Sequence, residues 1–125
     1  MKKNLINKSH TGYIEGYYGQ LLDWENRKRI ILSLRKNKMS TYFYAPKEDK
    51  LHRLNWRDKY NSKWRKQFRE FTNFSKINKI SVIAGIAPGL DFDFKNLNDK
   101  KQKNTNLDFT LLYNKAKQLL NDGAT

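Results

Sequence analysis

ISVIAGIA, residues 80–87, is apolar at nearly every position and stops at Pro88-Gly89. An unbroken apolar run of that length is expected of a parallel strand covered on both faces, whereas a half-exposed strand alternates. Working outward, MSTYFYA (39–45), stopped by Pro46, has the same β-branched and aromatic character. TGYIEGYY (11–18), bounded by Gly12, Gly16 and Gly19, reads as an earlier strand with its exit turn. Between and after these lie segments of helical period. Asp23 suits the cap of a helix to about residue 36, with Ile30, Ile31 and Leu34 inward and Arg27, Lys28 and Arg35 facing water. Residues 62 to about 78 carry a stripe of Trp64, Phe68, Phe71 and Phe74. A third helix, from about 106 to 121, has Leu112, Ala116, Leu119 and Leu120 as its stripe, and Gly123 stands just past its end. A polar, aromatic-containing loop fills 47–61.

The order β-α-β-α-β-α implies right-handed crossovers and a parallel sheet. Strand starts near 12, 40 and 80 resemble the spacing of a (β/α)8 barrel, whose units average about 31 residues. A flavodoxin-like open sheet is the alternative. It usually carries a phosphate-binding glycine loop after its first strand, and EGYYG (15–19) fits poorly because Tyr17 and Tyr18 hinder close backbone approach. The expected fold is therefore α/β, the first three βα units of a TIM-type barrel that stops before strand four. Residues 1–10 are expected to form an N-terminal tail and 11–125 the partial barrel.

Composition bounds the function. Among 125 residues there are 26 Lys+Arg against 12 Asp+Glu, a net charge of +14, and no cysteine. Disulfides, thiolate metal sites and thiol nucleophiles are excluded. His10 and His52 lie too far apart for metal-ligand spacing, so neither a metal nor another cofactor is expected. No apolar run reaches the ~18 residues of a membrane span, and MKKNLINKSH (1–10) has no apolar signal core. The expectation is a cytoplasmic protein that no membrane holds. The charge leaves a basic nucleic-acid-binding domain, or nonspecific attraction to polyanions, as a rival reading. It is spread along the chain, densest at 27–29, 35–38, 63–66 and 100–103, without a helix-turn-helix or a strand-spaced aromatic RNA motif.

In a barrel, chemistry gathers at the C-terminal ends of the strands. Those ends are Glu15-Gly16-Tyr17-Tyr18-Gly19, Ala45-Pro46-Lys47-Glu48-Asp49 and Ala87-Pro88-Gly89-Leu90-Asp91. Tyr17 and Tyr18 offer flat rings with polar tips, and Lys47 a mobile donor for a hydroxyl or an anion. Blander roles are open for each: Gly16 and Gly19 as positive-φ turn residues, the tyrosines as rim packing, Lys47 as a solvated turn residue. Asp91 and Asp93 share a face if extended, but a turn or cap role suits them better. Trp56 with Arg53 and Arg57 reads as a packed loop with cation–π contacts.

These blocks, GYIEGYYG (12–19), NKMSTYFYAPKED (37–49), HRLNWRDKY (52–60) and IAGIAPGLD (83–91), resemble the catalytic barrel of glycoside hydrolase family 84, the β-N-acetylglucosaminidases that include O-GlcNAc hydrolases and bacterial hyaluronidase-like enzymes. The resemblance implies retaining hydrolysis of a terminal β-linked N-acetylglucosamine on a glycan or glycoprotein. The substrate's own 2-acetamido oxygen attacks C1 and forms an oxazoline, an exception to the two-carboxylate scheme. An adjacent Asp-Asp pair orients the acetamido group and supplies acid and base. By the same resemblance, the Gly16 carbonyl accepts from a sugar hydroxyl and Lys47 binds sugar hydroxyls, with Tyr17 and Tyr18 lining the pocket. Arg53, Trp56 and Arg57 serve loop architecture, and Asp91 is a strand-end residue outside the catalytic pair.

Three local departures stand out: Leu21-Leu22 replace a usual Pro-Trp, Glu48 the first Asp of K-D-D, and Lys50-Leu51 a usual Pro-Tyr. The expected Asp-Asp pair belongs to a fourth strand that would begin about where Ala124-Thr125 stand. No catalytic residue is therefore expected within these residues, and taken alone they are expected to be an inactive, self-associating part of such an enzyme. A non-catalytic sugar-binding remnant is the other reading.

Overall fold

In a computed structural model the described residues are 9–102 and 105–125. The elements follow the order β1 (Gly12–Glu15), α1 (Trp24–Lys36), β2 (Thr41–Tyr44), α2 (Ser62–Ile77), β3 (Ser81–Ala84) and α3 (Leu107–Asn121). Both strand pairs are parallel, and the sheet order is β1-β2-β3. A flavodoxin-like sheet would put β1 between the other two. Here each crossover steps one strand further in the same direction, which is TIM-barrel-like winding.

Local chemistry sets the helix limits. Asp23, Asn61 and Asn106 cap the three N-termini, their side chains accepting from the backbone N–H of Asn26, Trp64 and Phe109. The three exits share one geometry. Lys38, Lys79 and Gly123 take positive φ of 57°, 60° and 106°, and the next residue's N–H returns to the last turn, Met39 to Leu34, Ile80 to Ser75 and Ala124 to Leu119. Gly123 is fixed twice over, because a Cβ there would stand 2.3 Å from Thr72 Oγ1. Gly12 is required by close approach, since a Cβ would fall 1.6 Å from the Thr41 carbonyl oxygen.

The core lies between the sheet and the helices. Tyr42 and Tyr44 of β2 and Val82 of β3 pack against Ile31, Leu34, Phe68, Phe71 and Leu119. Trp24 meets Phe71 at 5.6 Å between centroids, Tyr42 meets Phe71 at 5.2 Å, and Trp64 stacks on Phe68 at 4.7 Å.

Several expectations need correction. The strands are shorter than the apolar runs, because beyond Glu15, Tyr44 and Ala84 the chain leaves the ladder for the loops. β3 is not covered on both faces: Val82 is buried, but Ile83 is only half-buried. The other face of the sheet is open, with Ile14 67% exposed. Leu120, assigned to the α3 stripe, is also exposed, while Lys115 of the same helix is buried. Arg27, expected to face water, is buried as well. Its guanidinium reaches Glu15 through Nε and Nη2, at 3.0–3.2 Å, and Tyr42 donates its hydroxyl to the same carboxylate at 2.7 Å. The guanidinium also lies over the rings of Trp24 and Tyr44, at 4.4 and 5.1 Å.

Removing one partner of a buried ion pair strands the other charge, which costs about 3–5 kcal/mol. Arg27→Met and Glu15→Gln are each expected to lower unfolding free energy by that order in urea titration. The double variant is expected to lose less than the sum, because it strands no charge.

Candidate active site

Gly16, Tyr17 and Tyr18 leave the C-terminal end of β1, and residues 45–49 leave the adjacent end of β2. The backbone joins the two exits: Ala45 N–H donates to the Glu15 carbonyl at 2.9 Å and Lys47 N–H to the Tyr17 carbonyl at 3.4 Å. All four sequence-predicted site residues therefore meet along one lip. Tyr17 and Tyr18 are exposed, and the Tyr13 hydroxyl lies 3.5 Å from that of Tyr17. Gly19 has the expected positive φ, of 115°, but Gly16 does not. At Gly16 a Cβ would instead crowd Ile14 Cγ2 at 3.1 Å.

Beneath the lip the loop is held by buried polar groups. The Asp49 carboxylate accepts from the Tyr44 hydroxyl at 2.6 Å, the Tyr60 hydroxyl at 2.7 Å and the Leu51 N–H at 2.9 Å. Burial, joined by the Asp49 charge, pushes both tyrosines up, so they remain donors. His52 Nδ1 lies 2.7 Å from the Gly85 carbonyl oxygen. A carbonyl only accepts, which puts the proton on Nδ1. Burial lowers the histidine's pKa, leaving the ring neutral at pH 7, and its carbonyl accepts from Ala87 N–H at 2.8 Å. His52 thus ties the loop to the end of β3.

Arg57 forms a second tie. Its guanidinium binds Asp91 Oδ2 at 2.6 Å and the Asp108 carboxylate at 2.7 Å through both Nε and Nη2. It also lies 4.6 Å over the fully buried Trp56 ring, whose Nε1–H donates to Asp91 Oδ1 at 2.8 Å. The expected packed loop with a cation–π contact is present. Asp91 and Asp93 do not converge: Asp93 accepts from Lys95 N–H at 2.9 Å in a turn, while Asp91 faces Trp56 and Arg57. Arg53 sits half-buried in the loop, its N–H on the Lys50 carbonyl.

Sequence reasoning missed two residues. Glu15, in the middle of an aromatic strand motif, signals a buried cation partner, and Arg27 was the candidate on the next helix. Lys115 is fully buried, its Nζ donating to the carbonyls of Leu51, Trp56 and Asp58. Its position in the α3 pattern, beside Ala116 and four residues before Leu119, was the available sign.

A cavity of about 280 Å³ lies on the open sheet face, lined by His10, Gly12, Ile14, Thr41, Phe43 and Ile83 among others. It sits toward the strand starts, away from the lip.

This lip, at the carboxyl ends of successive parallel strands, is where (β/α)8 enzymes place their chemistry. A beta-N-acetylglucosaminidase family model matches residues 11–125, and the chain belongs to that family, glycoside hydrolase family 84. The Protein O-GlcNAcases of Rattus norvegicus and Mus musculus are each 38% identical over 85 residues, which is 68% of this chain and 9% of theirs. The structure of CpGH84B matches with a TM-score of 0.80 at 32% identity, over 92% of this chain and 19% of that one. An O-GlcNAc hydrolase mutant of Thermobaculum terrenum matches at 0.80 and 26%, over 92% and 23%. The chain thus spans less than a quarter of the length of each of these relatives.

The Trp56 N–H and Arg57 hold Asp91, and Arg57 with Asp93 N–H holds Asp108, below the usual carboxylate range. A depressed carboxylate contributes fully above its unfolded pKa, about 3.9, and is lost as pH falls through the lower folded value. The Trp56 indole N–H resonance is therefore expected to hold constant from pH 7 to about 4 and to move only in stronger acid. Arg57→Met should shift it already at pH 7.

Proposed function

We propose that residues 11–125 are the first three βα units of the (β/α)8 catalytic barrel of a retaining β-N-acetylglucosaminidase. The observation that carries this reading is at Thr125. After α3 the chain repeats the exit geometry of α1 and α2, and Thr125 N–H donates to the Val82 carbonyl at 2.8 Å. Ser81 does the same to Ser40 on entering β3, also at 2.8 Å. Thr125 is thus hydrogen-bonded to the free edge of β3, at the position where a fourth parallel strand would enter in this reading. The open apolar face with Ile14, Phe43 and Ile83 is the surface that the interior of a closed barrel covers.

In this reading the lip is one wall of the sugar pocket. The Gly16 carbonyl accepts from a sugar hydroxyl, Lys47 donates to sugar hydroxyls, and Tyr17 and Tyr18 line the opening. The substrate is a terminal β-linked N-acetylglucosamine, on the pattern of relatives named O-GlcNAcase and O-GlcNAc hydrolase. The acetamido oxygen attacks C1 as the glycosidic oxygen takes a proton from one Asp of the pair on the fourth strand. The other Asp polarises the acetamido N–H. Water then opens the oxazoline, giving up its proton to the first Asp, with net retention. Residues 1–125 alone lack that pair and catalyse no turnover.

A complete barrel that begins with residues 1–125 is expected to hydrolyse a chromogenic β-N-acetylglucosaminide, and Lys47→Ala in it to raise KM at least tenfold. Turnover by residues 1–125 alone, or none by a complete barrel that begins with them, would overturn the proposal. By light scattering, residues 1–125 alone are expected to run above 15.0 kDa, because the open face and the free edges seek partners. A monodisperse, cooperatively melting monomer would contradict this.

A further inference from the structure

Lys115 has no part in the chemistry described above, yet it is a fully buried charged group. It lies on α3, and no salt bridge reaches it among the described residues. Its Nζ faces three backbone carbonyls of one loop, those of Leu51, Trp56 and Asp58, the last two at 2.9 and 2.7 Å. It also lies 4.8 Å over the Tyr60 ring. An ammonium has three N–H donors, and the cage has three acceptors. A neutral amine has two donors and a lone pair, so it would leave one carbonyl facing a lone pair. The cage is complementary to the charged form alone.

The caged loop is the one that leaves the lip. Leu51 gives its carbonyl to Lys115 and its N–H to Asp49 Oδ1 at 2.9 Å. Asp49 lies two residues after Lys47 and is clamped by the hydroxyls of Tyr44 and Tyr60. Contact therefore runs from Lys115 through Leu51 and Asp49 to the backbone that sets Lys47. Gln118, one turn along α3, pairs both ways with the Tyr60 backbone at 3.2 and 3.3 Å and keeps the helix aligned on the loop.

We propose that Lys115 is a positioning residue for sugar binding, its ammonium locking the 49–60 loop so that Lys47 is held at the pocket lip. This rests on the sugar-site reading of the lip. The charged groups packed around the cage are Asp49 and Asp58 from the loop, which favour the ammonium, and burial, which outweighs them and brings its pKa from 10.5 down to about 8. His52, which feels the charges of both Lys47 and Lys115, is neutral at pH 7. The sign then separates local from global effects. A lysine with a depressed folded pKa binds fewer protons folded than unfolded above pH 8, so this group makes the fold more stable, not less, as pH rises. The cage loses its third donor over the same range. Sugar binding is thus expected to weaken while the melting temperature does not fall on this group's account.

The test uses a complete (β/α)8 barrel that begins with residues 1–125 and a chromogenic β-N-acetylglucosaminide. Wild-type KM is expected to rise severalfold from pH 7 to 9.5 with kcat changing less. Lys115→Met is expected to raise KM about tenfold at pH 7 and to lack that rise. A wild-type KM flat to pH 9.5, or a folded Lys115→Met with wild-type KM, would overturn the proposal; the first measurement stands even where the variant fails to fold. Lys47→Ala separates the two readings. A raised KM there beside an unchanged Lys115→Met removes the positioning role alone. An unchanged KM in Lys47→Ala removes the sugar role of Lys47, and the positioning role with it.

Discussion

A carboxylate and a guanidinium, both withdrawn from water, tie the first strand to the first helix. Glu15 ends β1 and Arg27 lies on the inner face of α1; between them the Tyr42 hydroxyl completes the coordination from β2. A charge in that position is tolerated only with its partner in place. The pair therefore fixes the direction in which the chain leaves β1, and the next residues out are Gly16, Tyr17 and Tyr18. The lip inherits its geometry from a contact that is itself buried.

The same arrangement recurs around the candidate site. Asp49 beneath β2, His52 against Gly85 of the β3 exit, Arg57 between Asp91 and Asp108, and Lys115 within its carbonyl cage are all polar groups that order loops. Loops with buried backbone need such partners, because every unmet carbonyl or N–H costs free energy. The aromatic core of Tyr42, Tyr44, Trp24, Trp64, Phe68 and Phe71 holds sheet to helices. It leaves the opposite sheet face open, and that asymmetry marks this stretch as one sector of a larger barrel in the proposed reading.

Much of the fold was legible because its signals are local. Asp23, Asn61 and Asn106 accept from N–H groups three residues on, so the helix starts follow from side chains adjacent in sequence. The aromatic stripe of α2 is a period, visible without a partner. Strand lengths were less legible: ISVIAGIA continues its apolar run past Ala84, the last residue in register with β2, and apolar character does not report pairing. The lip was legible for its own reason, since Gly16, Tyr17, Tyr18 and Lys47 stand in recognisable motifs at strand ends.

By itself the sequence determined the order of elements, the approximate helix starts, the parallel winding and the membership in a glycosidase family. Only the tertiary structure decided where the long charged side chains go. Arg27 sits at a helix position that reads as solvent-facing, and Lys115 lies outside the apolar stripe read for α3. Each is buried because acceptors from elsewhere converge on it, 12 residues away for Glu15 and 57–64 away for the carbonyls around Lys115. A lysine or arginine has a stem that packs and a head that must be solvated by something. Whether water or protein supplies that solvation depends on residues that meet only after folding.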